Sequence, residues 1–172
     1  MRLEIAARSD IGRRKANNED AYGVFGEDTP DLRLFAEGGL VCVADGLGGH
    51  EGGEIASKLA VSNVRDLLKQ EPPHISGYSD EVDERNEGPL PLLRGAIRRA
   101  NQSIFQTNKD LMRTRKPMGT TLLAAIIEPK RVYVGNVGDS RCYLIRDSEV
   151  VAMTEDHSWV DEQVKLGLMT RE

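Results

Sequence analysis

The chain has 172 residues, of which 39% are hydrophobic and 30% charged, and it carries a formal net charge of −5. This composition fits one soluble globular domain, and its longest apolar runs fall well short of the ~20 residues of a membrane helix. With no apolar segment of a secretory signal in MRLEIAARSD, the expectation is a cytoplasmic protein. The acidic balance argues against nucleic acid as a partner, since phosphate backbones are bound by clustered Lys and Arg, and it suits a site that gathers cations. Cys42 and Cys142 lie in apolar, strand-like runs. They read as small buried hydrophobes, not as a disulfide scaffold or a zinc centre.

In chain order, residues 1–8 read as a strand, and a turn-rich stretch with Gly12 and Asn17-Asn18 leads into a second at Ala21–Phe25. The apolar run Leu40–Ala44 predicts a strand buried on both faces that stops at Asp45. After the Gly-rich turn 46–53, Ile55, Leu59, Val64, Leu67 and Leu68 mark a helix from Glu54 to about Lys69. Residues 71–91, with four prolines and an acidic cluster, read as a surface loop. A second helix carries Leu93, Ala96, Ile97, Ala100 and Ile104, and the two helices are expected to pair on one sheet face. Strands follow at 120–127, 131–137, 141–145 and 150–154, with Asp147-Ser148 turning the last pair, a spacing that favours antiparallel connection. A short helix over 158–168, capped by Asp156 or Ser158, ends near Gly167.

Three acidic groups stand at strand edges or turns: Glu19-Asp20, Asp45 within Asp45-Gly46-Leu47-Gly48-Gly49-His50, and Asp139 within Val137-Gly138-Asp139-Ser140-Arg141. Hard cations such as Mg²⁺ and Mn²⁺ take oxygen ligands from a few carboxylates, a backbone carbonyl and waters, and glycine lets the backbone approach an ion. Taken singly, each group has an ordinary structural reading as a turn or a brace. Their order and local sequence are what single them out.

Ser9 to Tyr22, Val43 to His50 with Gly52, Gly53, Ala56 and Ser57, Met118 to Leu122, Val134 to Tyr143, and Thr154 to Thr170 resemble, in that order, the motifs of the metal-dependent serine/threonine protein phosphatases of the type 2C class, above all the bacterial members. The resemblance implies an α+β fold of two antiparallel sheets sandwiched between helix pairs. It treats 1–172 as a single domain, the N-terminal part of the catalytic domain. Asp45 would bridge two Mn²⁺ or Mg²⁺ ions, the Gly46 carbonyl would bind one of them, and Glu19 and Asp20 would hold metal-bound waters. Asp139 would help hold a third ion, Arg141 would pack structurally, and His50, Met118 and His157 are read as structural. The activity implied is hydrolysis of phosphoserine and phosphothreonine by a hydroxide bridging two ions. Phosphorylated proteins, and a kinase that makes them, are the implied partners.

The chain departs from the family in three places. Lys15 occupies the position of a phosphate-binding arginine, which leaves the phosphate to a point charge, with Arg14 adjacent as a substitute. Leu47 stands where many eukaryotic members have a histidine. The family's catalytic domains are longer and carry two further aspartates, so the chain is also readable as an incomplete fragment or a non-catalytic binding module. Such a fragment would bind metal weakly, mainly through Asp45 and Gly46, and would leave a sheet edge open to self-association.

Overall fold

The computed structural model describes residues 3–13, 15–26, 38–48, 52–69, 89–111, 117–158, 163–164 and 166–170, with the side chains of 67–69 and 111 excepted. Along the chain come β1 (Asp20–Phe25), β2 (Gly39–Leu47), α1 (Gly52–Lys69), α2 (Leu90–Leu111), β3 (Gly119–Thr120), β4 (Leu122–Ile127), β5 (Val132–Val137), β6 (Tyr143–Arg146) and β7 (Glu149–Ala152). The larger sheet runs β1-β2-β4-β5 with β3 also on β2, and β6-β7 form a two-stranded sheet. Every pairing is antiparallel. This is the expected α+β arrangement of two antiparallel sheets, with a helix pair on the larger one. A second helix pair is not among the described residues.

The core forms where the helices meet the sheet. Leu40, Cys42 and Ala44 of β2 and Leu122, Ala124 and Ile126 of β4 pack against Ala60 and Val64 of α1 and Leu93, Ala96 and Ala100 of α2. α2 follows its expected stripe. In α1 the fully buried side chains are Ala56, Ser57, Ala60 and Val64, while Ile55 and Leu59 are only half-buried. Small side chains let the helix lie close to β2, so the stripe runs one residue away from the larger apolar groups. At the other end of the layer, Gly135 of β5 leaves room for α2. A Cβ there would stand 2.7 Å from Ile97 Cδ1 and 3.1 Å from Leu93 Cγ.

Four expectations are corrected. β2 is not buried on both faces: Leu40, Cys42 and Ala44 are at most 2% exposed, while Val43 is 45% exposed on the other side. Its side chains alternate because the helices cover one face only. Residues 3–11 form no strand, although the Leu3 and Ile5 side chains do reach the sheet at Gly39. α2 begins earlier than the loop expected over 71–91 allows. Pro91 sits in its first turn, where a missing N–H removes no helical bond, and residues 70–88 lie outside the description. The strand expected over 120–127 is broken at Thr121.

The hairpin turn comes where expected. Asp147 and Ser148 have φ of 52° and 65°, the left-handed pair that matches the twist of a two-residue hairpin. Of the last expected helix, only Gln163 and Val164 are described as helical. Its end falls at Gly167, which has φ of 70°. Gly167 N–H donates to the Val164 carbonyl and Leu168 N–H to that of Gln163, which is a Schellman closure. No helix among the described residues is long and apolar enough to cross a membrane.

Burial pushes the Cys42 thiol up to about 11 from an ordinary 9.0. A thiol whose folded value lies above its unfolded one leaves stability intact below the unfolded value, and stability falls as pH rises from there toward the folded value. In a Cys142→Ser background, Cys42 is therefore expected to resist a maleimide at pH 8 until urea unfolds the chain, and urea midpoints should fall as pH rises from 9. Rapid labelling of the folded chain at pH 8 would contradict the packing described.

Candidate functional site

The site is assembled by strand register. Asp20 of β1 pairs directly with Asp45 of β2, and cross-strand partners project from the same face, with Cβ atoms ~5 Å apart. Two acids thus stand side by side on the face turned away from the helices. Asp139 approaches from the turn after β5 and adds to the potential at Asp45. The Asp45 carboxyl is held above its ordinary value, first by partial burial and then by the Asp20 charge. Lys15 opposes this, while a hydrogen bond with Asp20 and the Asp139 charge add to it. Like charges are therefore held together without full neutralisation.

β2 does not stop at Asp45, as expected, but continues to Leu47, where Gly46 and Leu47 pair with Thr120 and Gly119 of β3. The β2–β3 and β2–β4 pairings share one register, so Thr121 falls opposite Asp45. Asp45 N–H donates to Thr121 Oγ1 at 2.9 Å, and the Asp45 carbonyl accepts from Thr121 N–H at 2.9 Å and from Thr120 Oγ1 at 2.9 Å. Asp45 is held by its backbone while its carboxylate remains exposed.

Gly46 is a position only glycine fits. A Cβ there would lie 2.2 Å from the Gly53 carbonyl oxygen and 2.5 Å from that of Glu19, and Gly46 N–H donates to the Glu19 carbonyl at 3.2 Å. The Glu19 carboxylate is buried against Gly53 in the first turn of α1, where a helix N-terminus favours negative charge. It also accepts from Lys15 Nζ at 3.0 Å. Lys15 is half-exposed, and its ammonium is raised by Glu19 first, with Asp45 and Asp20 adding to the effect. The structure therefore gathers Lys15, Glu19, Asp20, Asp45, Gly46 and Asp139 in one region. Arg14 and His50 lie outside the described residues. Met118 is buried and clasped by Asn108, whose amide donates to its carbonyl at 2.7 Å and accepts from its N–H at 2.9 Å.

Arg141 makes a forked ion pair with Asp156, which raises the guanidinium further, while the start of the helix that Asp156 or Ser158 was expected to cap lies outside the described residues. His157 meets Gly138 twice: its N–H donates to the Gly138 carbonyl at 2.9 Å, and Gly138 N–H donates to its Nδ1 at 3.4 Å. Sequence reasoning missed Thr121, Ser140 and Asn108. A threonine before an apolar run reads as a β-former, and only the register shows that Thr121 faces Asp45.

The donors gathered here are carboxylates, with no thiolate, which suits a hard divalent ion. Among the described residues no three acid, histidine or cysteine side chains stand close enough to enclose an ion by themselves.

Comparison with known proteins places the chain in a phosphatase class. Residues 12–164 match the Protein phosphatase 2C family, and the chain belongs to that family. It is 36% identical over 168 residues to the serine/threonine phosphatase stp of Listeria welshimeri, a match covering 96% of this chain and 59% of that protein. The catalytic domain of the phosphatase PstP, solved in complex with two manganese ions, superposes with a TM-score of 0.69 at 33% identity, covering 96% of this chain and 61% of that one. The Streptococcus agalactiae serine/threonine phosphatase superposes with a TM-score of 0.72 at 30% identity, covering 94% and 59%. The chain thus spans about three-fifths of the length of these proteins.

Because Asp45 ionises against its neighbours, removing its charge should not harm the metal-free fold. In EDTA at pH 7, Asp45→Asn is expected to melt at or a few degrees above the unsubstituted chain. Gly46→Ala, which forces a Cβ onto two carbonyls, should melt well below it, by ~1–3 kcal/mol of stability. A large drop for Asp45→Asn would mean that the carboxylate is a structural brace.

Proposed function

We propose that the chain is the N-terminal part of a serine/threonine protein phosphatase catalytic domain, which hydrolyses phosphoserine and phosphothreonine with two, or with Asp139 three, Mn²⁺ or Mg²⁺ ions. The observation that carries this reading is the pairing of Asp20 with Asp45 at one end of the sheet, with the Asp139 charge adding at Asp45 and Lys15 offsetting it only in part, in a chain whose relatives are named serine/threonine phosphatases. Carboxylates that repel one another in the free protein gain most from a divalent cation.

In this reading Asp45 and the Gly46 carbonyl are direct ligands, while Asp20 and Glu19 hold coordinated waters in place. Bound ions supply positive charge to the phosphoryl oxygens and make water a better nucleophile at neutral pH. Lys15, kept protonated by its acidic surroundings, offers the phosphate a point charge while Arg14 supplies a second cation. Phosphorylated cytoplasmic proteins are the substrates, and the kinase that phosphorylates them is the opposing partner. β1 and β5 are the edges of the larger sheet among the described strands, and self-association through an exposed sheet edge belongs to the same reading. It would appear as a doubled mass in sedimentation.

The test is hydrolysis of a phosphothreonine peptide and of a small aryl phosphate in Mn²⁺, comparing the chain with Asp45→Ala. Turnover should require Mn²⁺ and fall by at least ~10²-fold in the variant, the scale on which a key electrostatic group acts. Equal activity in the two proteins would remove Asp45 from the mechanism. No activity in either would make the chain a phosphatase fragment or a binding remnant without turnover of its own.

A further inference from the structure

Thr121 and Ser140 lie between the two parts of the site that the chain brings from opposite directions. Thr121 Oγ1 accepts from Asp45 N–H at 2.9 Å and stands 2.8 Å from Ser140 Oγ, and Ser140 directly follows Asp139. Thr121 is 5% exposed, so its hydroxyl proton needs a partner within the protein. The arrangement that leaves no buried proton unpaired has Thr121 accept from Asp45 and donate to Ser140. Its methyl group meets the same turn. Gly138 has φ of 106°, and a Cβ there would lie 2.7 Å from Thr121 Cγ2, so backbone and methyl are in close packing. Each face of Thr121 therefore fixes one element of the Asp139 turn against β2.

We propose that Thr121 and Ser140 are positioning residues that set the distance between Asp45 and Asp139, so that the two carboxylates serve neighbouring ions of one cluster. The inference rests on the metal-dependent reading above. Their effect is on where two mutually repelling acids are held before an ion arrives, the outer-shell role that typically alters metal affinity. The His157–Gly138 contacts support the same turn from its far side but do not reach Asp45, so a path from one acid to the other runs through the hydroxyl pair.

The experiment compares the full chain with Ser140→Ala, Thr121→Val and Thr121→Ser. It uses two readouts: Mn²⁺ binding followed by the electron paramagnetic resonance of free Mn²⁺, and hydrogen exchange of the Asp45 amide in EDTA. Ser140→Ala is the mild variant, since it removes only the hydroxyl link, and its melting temperature serves as the folding control. The expected result is Mn²⁺ affinity weakened about 10- to 100-fold in Ser140→Ala and Thr121→Val, faster exchange at Asp45, and recovery of both in Thr121→Ser. A purely structural role would lower the melting temperature without this selective loss. Unchanged Mn²⁺ affinity in a folded Ser140→Ala would overturn the proposal. Should the unsubstituted chain bind no Mn²⁺, the metal-dependent reading fails, and the proposal is then judged on exchange alone: unchanged exchange at Asp45 in Ser140→Ala overturns it.

Discussion

Carboxylates that would separate in solution are held together here by a hydrogen-bonded sheet, and most of the structure follows from that constraint. Asp20 and Asp45 are cross-strand partners, so they cannot move apart without breaking the β1–β2 ladder. Asp139 is brought to the same place by a turn closed on Thr121 and His157. Partial burial first, and then this repulsion, hold the Asp45 carboxyl above its usual range. Folding energy for this comes from elsewhere, namely the layer of Leu40, Cys42, Ala44, Ala60, Val64, Leu93 and Ile126 on the helix side of the sheet.

The division of labour between the two sheet faces explains why the site can be strained and still ordered. Small residues on the helix side, Ala44 and Ala60 among them, bring α1 close to β2. The first turn of α1 then receives the Glu19 carboxylate, and Gly46 and Gly53 meet with no room for a side chain. Glu19 is consequently fixed between a helix N-terminus and Lys15, whereas Asp45 presents an exposed carboxylate. The face opposite the helices carries Tyr22, Val24 and Val43, each more than 40% exposed, together with the acids.

Much of this was legible in the sequence, for identifiable reasons. An apolar run ending in Asp-Gly announces a strand that carries an acid to one end of a sheet. Asp147-Ser148 between β-branched runs announces a hairpin, and both features depend on local chemistry that the fold does not override. The motif order from Ser9 to Thr170 pointed to the family. What stayed hidden depends on register and close approach. The period of α1 was read from Ile55 and Leu59 because larger side chains dominate a hydrophobic pattern, while the contact is made by alanines. Strand 120–127 looked continuous because nothing local reveals that Thr121 spends its N–H and hydroxyl on Asp45. Residues 3–8 alternate like a strand, and alternation alone does not supply a pairing partner.

The central claim is that the acids at the end of β2 are kept together to hold a divalent ion. Crystals of the chain grown in Mn²⁺, with anomalous difference maps at the manganese edge, test it most directly. The account predicts a peak within coordination distance of an Asp45 carboxylate oxygen, on the side where Asp20 and Asp139 converge. Ordered acids with no manganese density beside Asp45, at Mn²⁺ concentrations that saturate the chain, would contradict it.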